Sequence, residues 1–113
     1  MSFALPEANA GETTPYALIG QARARPEQVE ALARRLLSLV APTREEAGCL
    51  QYHVHQDRAD PALFHFYEAW SSREHLLRHL EQPYIAQFLA EREHYLAEEM
   101  QTRWLVMLSA NPA

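Results

Sequence analysis

Two stretches of strand character, Cys49–Gln56 (CLQYHVHQ) and Leu63–Trp70 (LFHFYEAW), are separated only by Asp57–Ala62 (DRADPA). The first sets Leu50, Tyr52 and Val54 against Gln51, His53 and His55, the period-two pattern of a strand with one buried face. The second is rich in aromatic residues and apolar at both parities, as expected of a strand buried on both sides. Asp57 and Pro61 give the connection turn chemistry, so the segment reads as a hairpin. A lone hairpin is marginal in water. The flanking sequence must therefore supply what this one packs on.

Both flanks begin with helical spacing. Upstream, Pro26 sits where a helix starts. Val29, Leu32, Ala33, Leu36, Leu37 and Val40 then share a face opposite Glu30, Arg34 and Arg35, and Pro42 is expected to end the helix. Downstream, Ser71 and Glu74 form a capping-box pattern ahead of Leu76, Leu77 and Leu80. Pro83 restarts a helix with Tyr84, Ile85, Phe88, Leu89, Tyr95 and Leu96 on its apolar side. Tyr16–Arg23 and Thr102–Ser109 read as the first and last strands. The order is β-α-β-β-α-β, with the second helix broken in two. It predicts an α+β, ferredoxin-like fold: a four-stranded antiparallel sheet with helices on one face. Residues 1–15 read as an arm outside the core that a partner could receive, residues 16–109 as the domain and residues 110–113 as a tail.

The other sheet face is then open. Phe64, Phe66 and Trp70 oppose Leu63 and Tyr67 in parity, and Trp104 and Val106 oppose Leu105 and Met107, so the open face is expected to be apolar. Such a face is a liability on a monomer. The simplest cover is a second copy in a symmetric homodimer.

The chain has 113 residues, enough for one domain, and its net charge of -5 speaks against nucleic acid or an anionic membrane as a partner. All ten basic residues are arginines, scattered along the chain. Cys49 is the only cysteine, so no intrachain disulfide forms, which fits a reducing cytoplasm. No apolar run approaches the roughly 20 residues of a membrane span, and the N-terminus lacks the pattern of a signal peptide. There is no glycine-rich phosphate loop, so a nucleotide cofactor is not indicated.

Few residues suggest chemistry. His79 lies among Leu76, Leu77 and Leu80 and reads either as a pocket base or as a packing histidine satisfied by a carboxylate. Glu68 falls in a strand that should be buried, where a carboxylate needs a partner or a raised pKa. It either orients His79 or holds a substrate hydroxyl, or it pairs with an arginine such as Arg103. Phe66 and Trp70 share its parity and form either a wall for an aromatic ligand or plain core. Tyr52 and Tyr67 are candidate donors to a ligand oxygen or interface residues, and Tyr84 is placed to line a pocket mouth. The pairs His53/His55 and His75/His79 have metal-compatible spacing, but neither has a nearby Cys or Asp to complete a sphere, so no metal is expected. Cys49 reads as a small buried residue; as a nucleophile it would need a base, for which His53 is conceivable.

One ordered series stands out: Arg25-Pro26, Pro42-Thr43-Arg44, Glu46-Ala47-Gly48-Cys49-Leu50, Tyr52, Asp57, Asp60-Pro61, Tyr67-Glu68-Ala69-Trp70, and His79-Leu80 followed by Pro83. It resembles the antibiotic biosynthesis monooxygenase family of dimeric α+β barrels, over about Tyr16 to Leu108. The resemblance implies a pocket between helices and sheet that binds polycyclic or quinol-like aromatics, and so a small aromatic phenol or quinol as the ligand of this chain. Family members that oxygenate do so without metal, flavin or haem, and dioxygen is the co-substrate. It implies His79 and Glu68 as catalytic residues, with Trp70, Phe66, Tyr84, Tyr52 and Tyr67 binding substrate. The family also holds sugar-phosphate isomerases, haem-degrading relatives and many members without known activity, so a small-molecule binding protein or a sugar-phosphate isomerase on the same scaffold stands as the alternative. Tyr84 occupies the place of a frequent family histidine. Haem-degrading relatives need a helical histidine about ten residues beyond the His79 position, where this chain has Leu89.

Overall fold

A computed structural model describes residues 5–8, 12 and 14–109. The elements follow the expected order. Strand β1 (Tyr16–Arg23) leads through a 3-10 turn (Pro26–Gln28) to helices α1 (Val29–Ser38) and α2 (Val40–Arg44). The hairpin β2 (Cys49–Gln56) and β3 (Leu63–Trp70) follows, then α3 (Arg73–Leu80), α4 (Pro83–Tyr95) and β4 (Gln101–Val106). The four strands form one sheet in the order β2-β3-β1-β4, antiparallel throughout, which is the ferredoxin-like topology. Among the described residues, no helix is long and apolar enough to cross a membrane.

Three local boundaries differ from the sequence expectation, each for a physical reason. Pro42 does not end the first helix. The chain turns at Leu39, whose N–H bonds back to Leu36 O at 3.1 Å, and α2 starts afresh. Pro42 then lies in a first turn, where a missing N–H costs nothing. The cap of α3 is Ser72, not Ser71: its hydroxyl accepts from His75 N–H at 3.2 Å, while the Ser71 N–H is already taken by Gly48 O at 2.8 Å. Strand β4 stops at Val106 rather than running to Ser109, because its partner β1 begins at Tyr16, opposite Val106.

Gly48 at the entry to β2 has φ +83°, and a Cβ there would stand 2.2 Å from the His75 ring. Gly48→Ala therefore combines a left-handed backbone with a clash. It is expected to cost about 2 kcal/mol in a urea unfolding titration.

Two core clusters sit between sheet and helices. One gathers Leu32, Leu36 and Leu39 with Phe64, Ile85, Phe88 and Leu96. The other gathers Tyr16, Leu18, Tyr52, Trp70 and Leu76, and it includes Leu5. Arg73 donates to the Leu5 carbonyl at 2.9 Å and the Pro6 carbonyl at 3.2 Å, and the Tyr16 hydroxyl also donates to Pro6 O. This part of the expected arm is thus laid on its own domain. Residues 1–4, 9–11 and 13 of the arm, and the tail 110–113, lie outside the described residues.

The open face is less apolar than the sequence suggested. Register and alternation place His53-Tyr67-Ile19-Arg103 in one row across it and His55-His65-Gln21-Gln101 in the next. The large rings Phe64, Phe66, Trp70 and Trp104 all take the helix-side parity. What stays apolar on the open side is mainly Ile19, Tyr67 and Leu105, with Ile19 41% and Leu105 37% exposed.

Candidate active site

A cavity of about 70 Å³ lies where the two core clusters meet. Leu18, Phe66 and Trp104 form its sheet side, and Leu36, Phe88 and Leu89 its helix side. The sheet row Val54-Phe66-Gly20-Thr102 runs beneath it, with the Phe66 ring lying over Gly20, which has no side chain. Its polar lining residues are Tyr52, Glu68, His79 and Thr102.

His79 is buried at 2% exposure on the last turn of α3. Its Nδ1 lies 3.0 Å from Glu46 Oε2, and its Nε2 lies 3.8 Å from Glu68 Oε1. The first is a hydrogen bond; the second is too long for one. A carboxylate can only accept, so Nδ1 carries the proton and Nε2 of the neutral ring is the free base nitrogen. The Tyr84 hydroxyl also donates to Glu46 Oε2. Burial, then the Glu46 acceptor, pushes the Tyr84 phenol up to about 12. Trp70 packs against His79 at a tilt of 36°, with ring centroids 4.7 Å apart, and donates Nε1–H to Glu68 Oε1 at 3.1 Å. Tyr52 meets the other side of the imidazole edge-on at 5.6 Å, and burial pushes its phenol upward.

Glu68 is fully enclosed, and burial raises its carboxyl above the ordinary 4.5, against the opposing pull of His79 and Trp70. The fold thus prefers the protonated acid. That preference stabilises fully at acid pH and is lost as pH rises through the raised value. Glu68→Gln keeps an acceptor for Trp70. It is expected to melt above the parent at about pH 8 and to lose that advantage by about pH 4. Equal differences at both pH values would show that the fold does not raise the Glu68 carboxyl.

The structure brings together most of the residues singled out in the sequence. His79, Glu68, Phe66 and Tyr52 line the cavity. Trp70 does not; it backs His79 and Glu68 instead. Tyr84 acts on Glu46 rather than lining the cavity. Tyr67 is not part of the site: alternation puts it on the open face beside His53 and Ile19. Arg103 shares that face, so it is not the partner of Glu68. His53 bonds Gln51 and Arg44, and His75 bonds Ser72, so the metal-like spacings do not converge. Among the described residues, no three potential ligands gather. Cys49 is a free thiol that burial pushes up to about 11, the wrong direction for a nucleophile.

Glu46 was missed by sequence reasoning. It sits in the loop after α2, and only the turn at Leu39 and the 3.0 Å bond from Glu46 N–H to Thr43 O bring it beneath α3. Arg44 pins the same loop to the Tyr52 carbonyl at 2.8 Å. A carboxylate ahead of a Gly-Cys strand start is an ordinary loop residue by spacing alone.

Residues 15–91 match the family model described as Antibiotic biosynthesis monooxygenase. Rv0793 of Mycobacterium tuberculosis, whose name proposes a monooxygenase, is 32% identical over 79 residues, covering 70% of this chain and 77% of that protein. Its solved structure superposes with a TM-score of 0.81 at 25% identity over 88% of this chain and 100% of that one. The crystal structure of PA3566 from Pseudomonas aeruginosa also gives a TM-score of 0.81, at 41% identity, over 88% of this chain and 100% of that one. The Synechocystis protein sll1783 is 27% identical over 88 residues, 78% of this chain, but the match spans only 60% of that protein's length.

Proposed function

Since the chain belongs to the antibiotic biosynthesis monooxygenase family, we propose that it oxygenates an aromatic phenol or quinol without a bound cofactor. One observation carries this reading: a buried histidine at the cavity wall, with Nδ1 committed to Glu46 and Nε2 free. His79 Nε2 takes the proton of a substrate hydroxyl, and the Glu46 carboxylate stabilises the imidazolium that results. Glu68 as a neutral acid hydrogen-bonds the substrate oxygen, and Phe66 and Tyr52 flank the ring. The electron-rich substrate anion then supplies electrons to dioxygen. For a hydroquinone, one oxygen atom ends on the ring as a hydroxyquinone and the other leaves as water. The residue content supports a cofactor-free route, since the position of the haem ligand in haem-degrading relatives is Leu89, a cavity-lining aliphatic side chain. No arginine lines the cavity among the described residues, so a sugar-phosphate isomerase finds no support here. The test is oxygen consumption with a panel of hydroquinones. No uptake with any of them, by a folded protein, would sink the proposal.

We also propose that a second copy covers the open sheet face and that the protein works in the cytoplasm. Ile19, Tyr67 and Leu105 give that face an apolar centre within a polar surround, the composition of an interface between copies. The sole cysteine, a free thiol, suits a reducing compartment. Light scattering at micromolar concentration should report a dimer; a monomer would refute the pairing.

A further inference from the structure

We propose that this site takes a single unfused aromatic ring bearing a neutral hydroxyl, and rejects fused rings and anions alike. The inference rests on the pocket reading above and narrows its substrate class.

Size is the first constraint. Pockets for drug-sized ligands run to roughly 300–1,000 Å³, and an apolar cavity of about 150 Å³ holds one benzene. With about 70 Å³, roughly half of that, this cavity admits a single ring only by opening to about twice its volume, and a fused pair demands more still. The sheet side cannot provide it. The Phe66 ring lies over the bare backbone of Gly20, its tip 2.3 Å from where a Cβ would stand. The ring already fills the gap that the missing Gly20 side chain leaves. Phe66 is therefore the specificity-determining residue for ring number.

Charge is the second constraint. The polar end of the cavity carries the Glu68 carboxyl, and Glu46 lies directly behind His79. No arginine lines the cavity among the described residues, and the Nδ1 proton of His79 is spent on Glu46. A carboxylate or phosphate brought here would be buried near the Glu46 carboxylate with no arginine at the cavity wall to pair it. A neutral hydroxyl instead donates to His79 Nε2 and accepts from a protonated Glu68.

Anaerobic titration calorimetry separates these constraints from turnover. The probes are 4-methylphenol, 2-naphthol and 4-hydroxybenzoate, applied to the parent and to Phe66→Ala, with Phe66→Leu as the milder variant should the alanine protein not fold. The parent should bind 4-methylphenol about tenfold more tightly than 2-naphthol, and about a hundredfold more tightly than 4-hydroxybenzoate. Shortening Phe66 should bring 2-naphthol level with 4-methylphenol and leave 4-hydroxybenzoate weak. Parent protein that binds 2-naphthol or 4-hydroxybenzoate as tightly as 4-methylphenol overturns the inference while leaving the phenol pocket standing. A folded protein that binds none of the three overturns both.

Discussion

An alanine at position 79 is expected to slow oxygen uptake at least about a hundredfold with any hydroquinone that the parent oxygenates. The side chain that it removes holds the free base nitrogen at the cavity wall, and the carboxylate behind it loses its purpose at the same time. Glu68, which the fold prefers protonated, is a poor substitute base. The substitution also leaves two buried acidic groups without their shared partner, so the variant will be less stable. Rates should therefore be normalised to the folded fraction from near-ultraviolet circular dichroism. Glu46→Gln offers a graded comparison: its amide can hydrogen-bond the ring but cannot stabilise an imidazolium, and an intermediate loss of rate is expected. Unchanged uptake by the His79→Ala protein would remove the histidine from the mechanism.

Trp70→Ala should have the largest effect on stability, about 4 kcal/mol in urea unfolding. Trp70 is completely buried; it packs at a tilt against His79 and, among the described residues, supplies the one hydrogen bond of normal length to the Glu68 carboxyl. Small domains have a total stability of roughly 5–15 kcal/mol, so this change takes a large share. Trp70→Phe keeps most of the ring and strands the carboxyl alone, for about 1–2 kcal/mol. A loss below 1 kcal/mol for the alanine protein would mean that this wall is not the anchor of its cluster.

The strands were legible because each has a period that the pleat enforces. Residues 16–23, 49–56 and 63–70 fall where alternation and turn residues put them. Parity made Glu68, Phe66 and Trp70 legible as neighbours, since alternate residues of one strand must share a face. Parity alone does not say which face looks inward. Leu63 and Tyr67 are as apolar in composition as Phe64 and Phe66, and only the pairing of β3 with β1 and β2 assigns Tyr67 to the side shared with His53. Glu46 was illegible for a different reason. Its contact with His79 spans 33 residues and depends on how a loop closes, which no local period encodes. Pro42 misled because a proline is a stop in mid-helix and harmless in a first turn, and the reset at Leu39 decides which applies.

The stretch that the family model matches is shorter than the unit that folds. That match ends at residue 91, yet β4 begins at Gln101, pairs along β1, and contributes Thr102 and Trp104 to the cavity. At the other end Leu5 precedes the matched region and is packed against the cluster of Trp70 and Leu76. A fragment trimmed to residues 15–91 would therefore lose a sheet edge at one end and a hydrophobic plug at the other. Swapping this protein's pocket into a relative, or shuffling segments between them, needs crossover points outside residues 5 and 106.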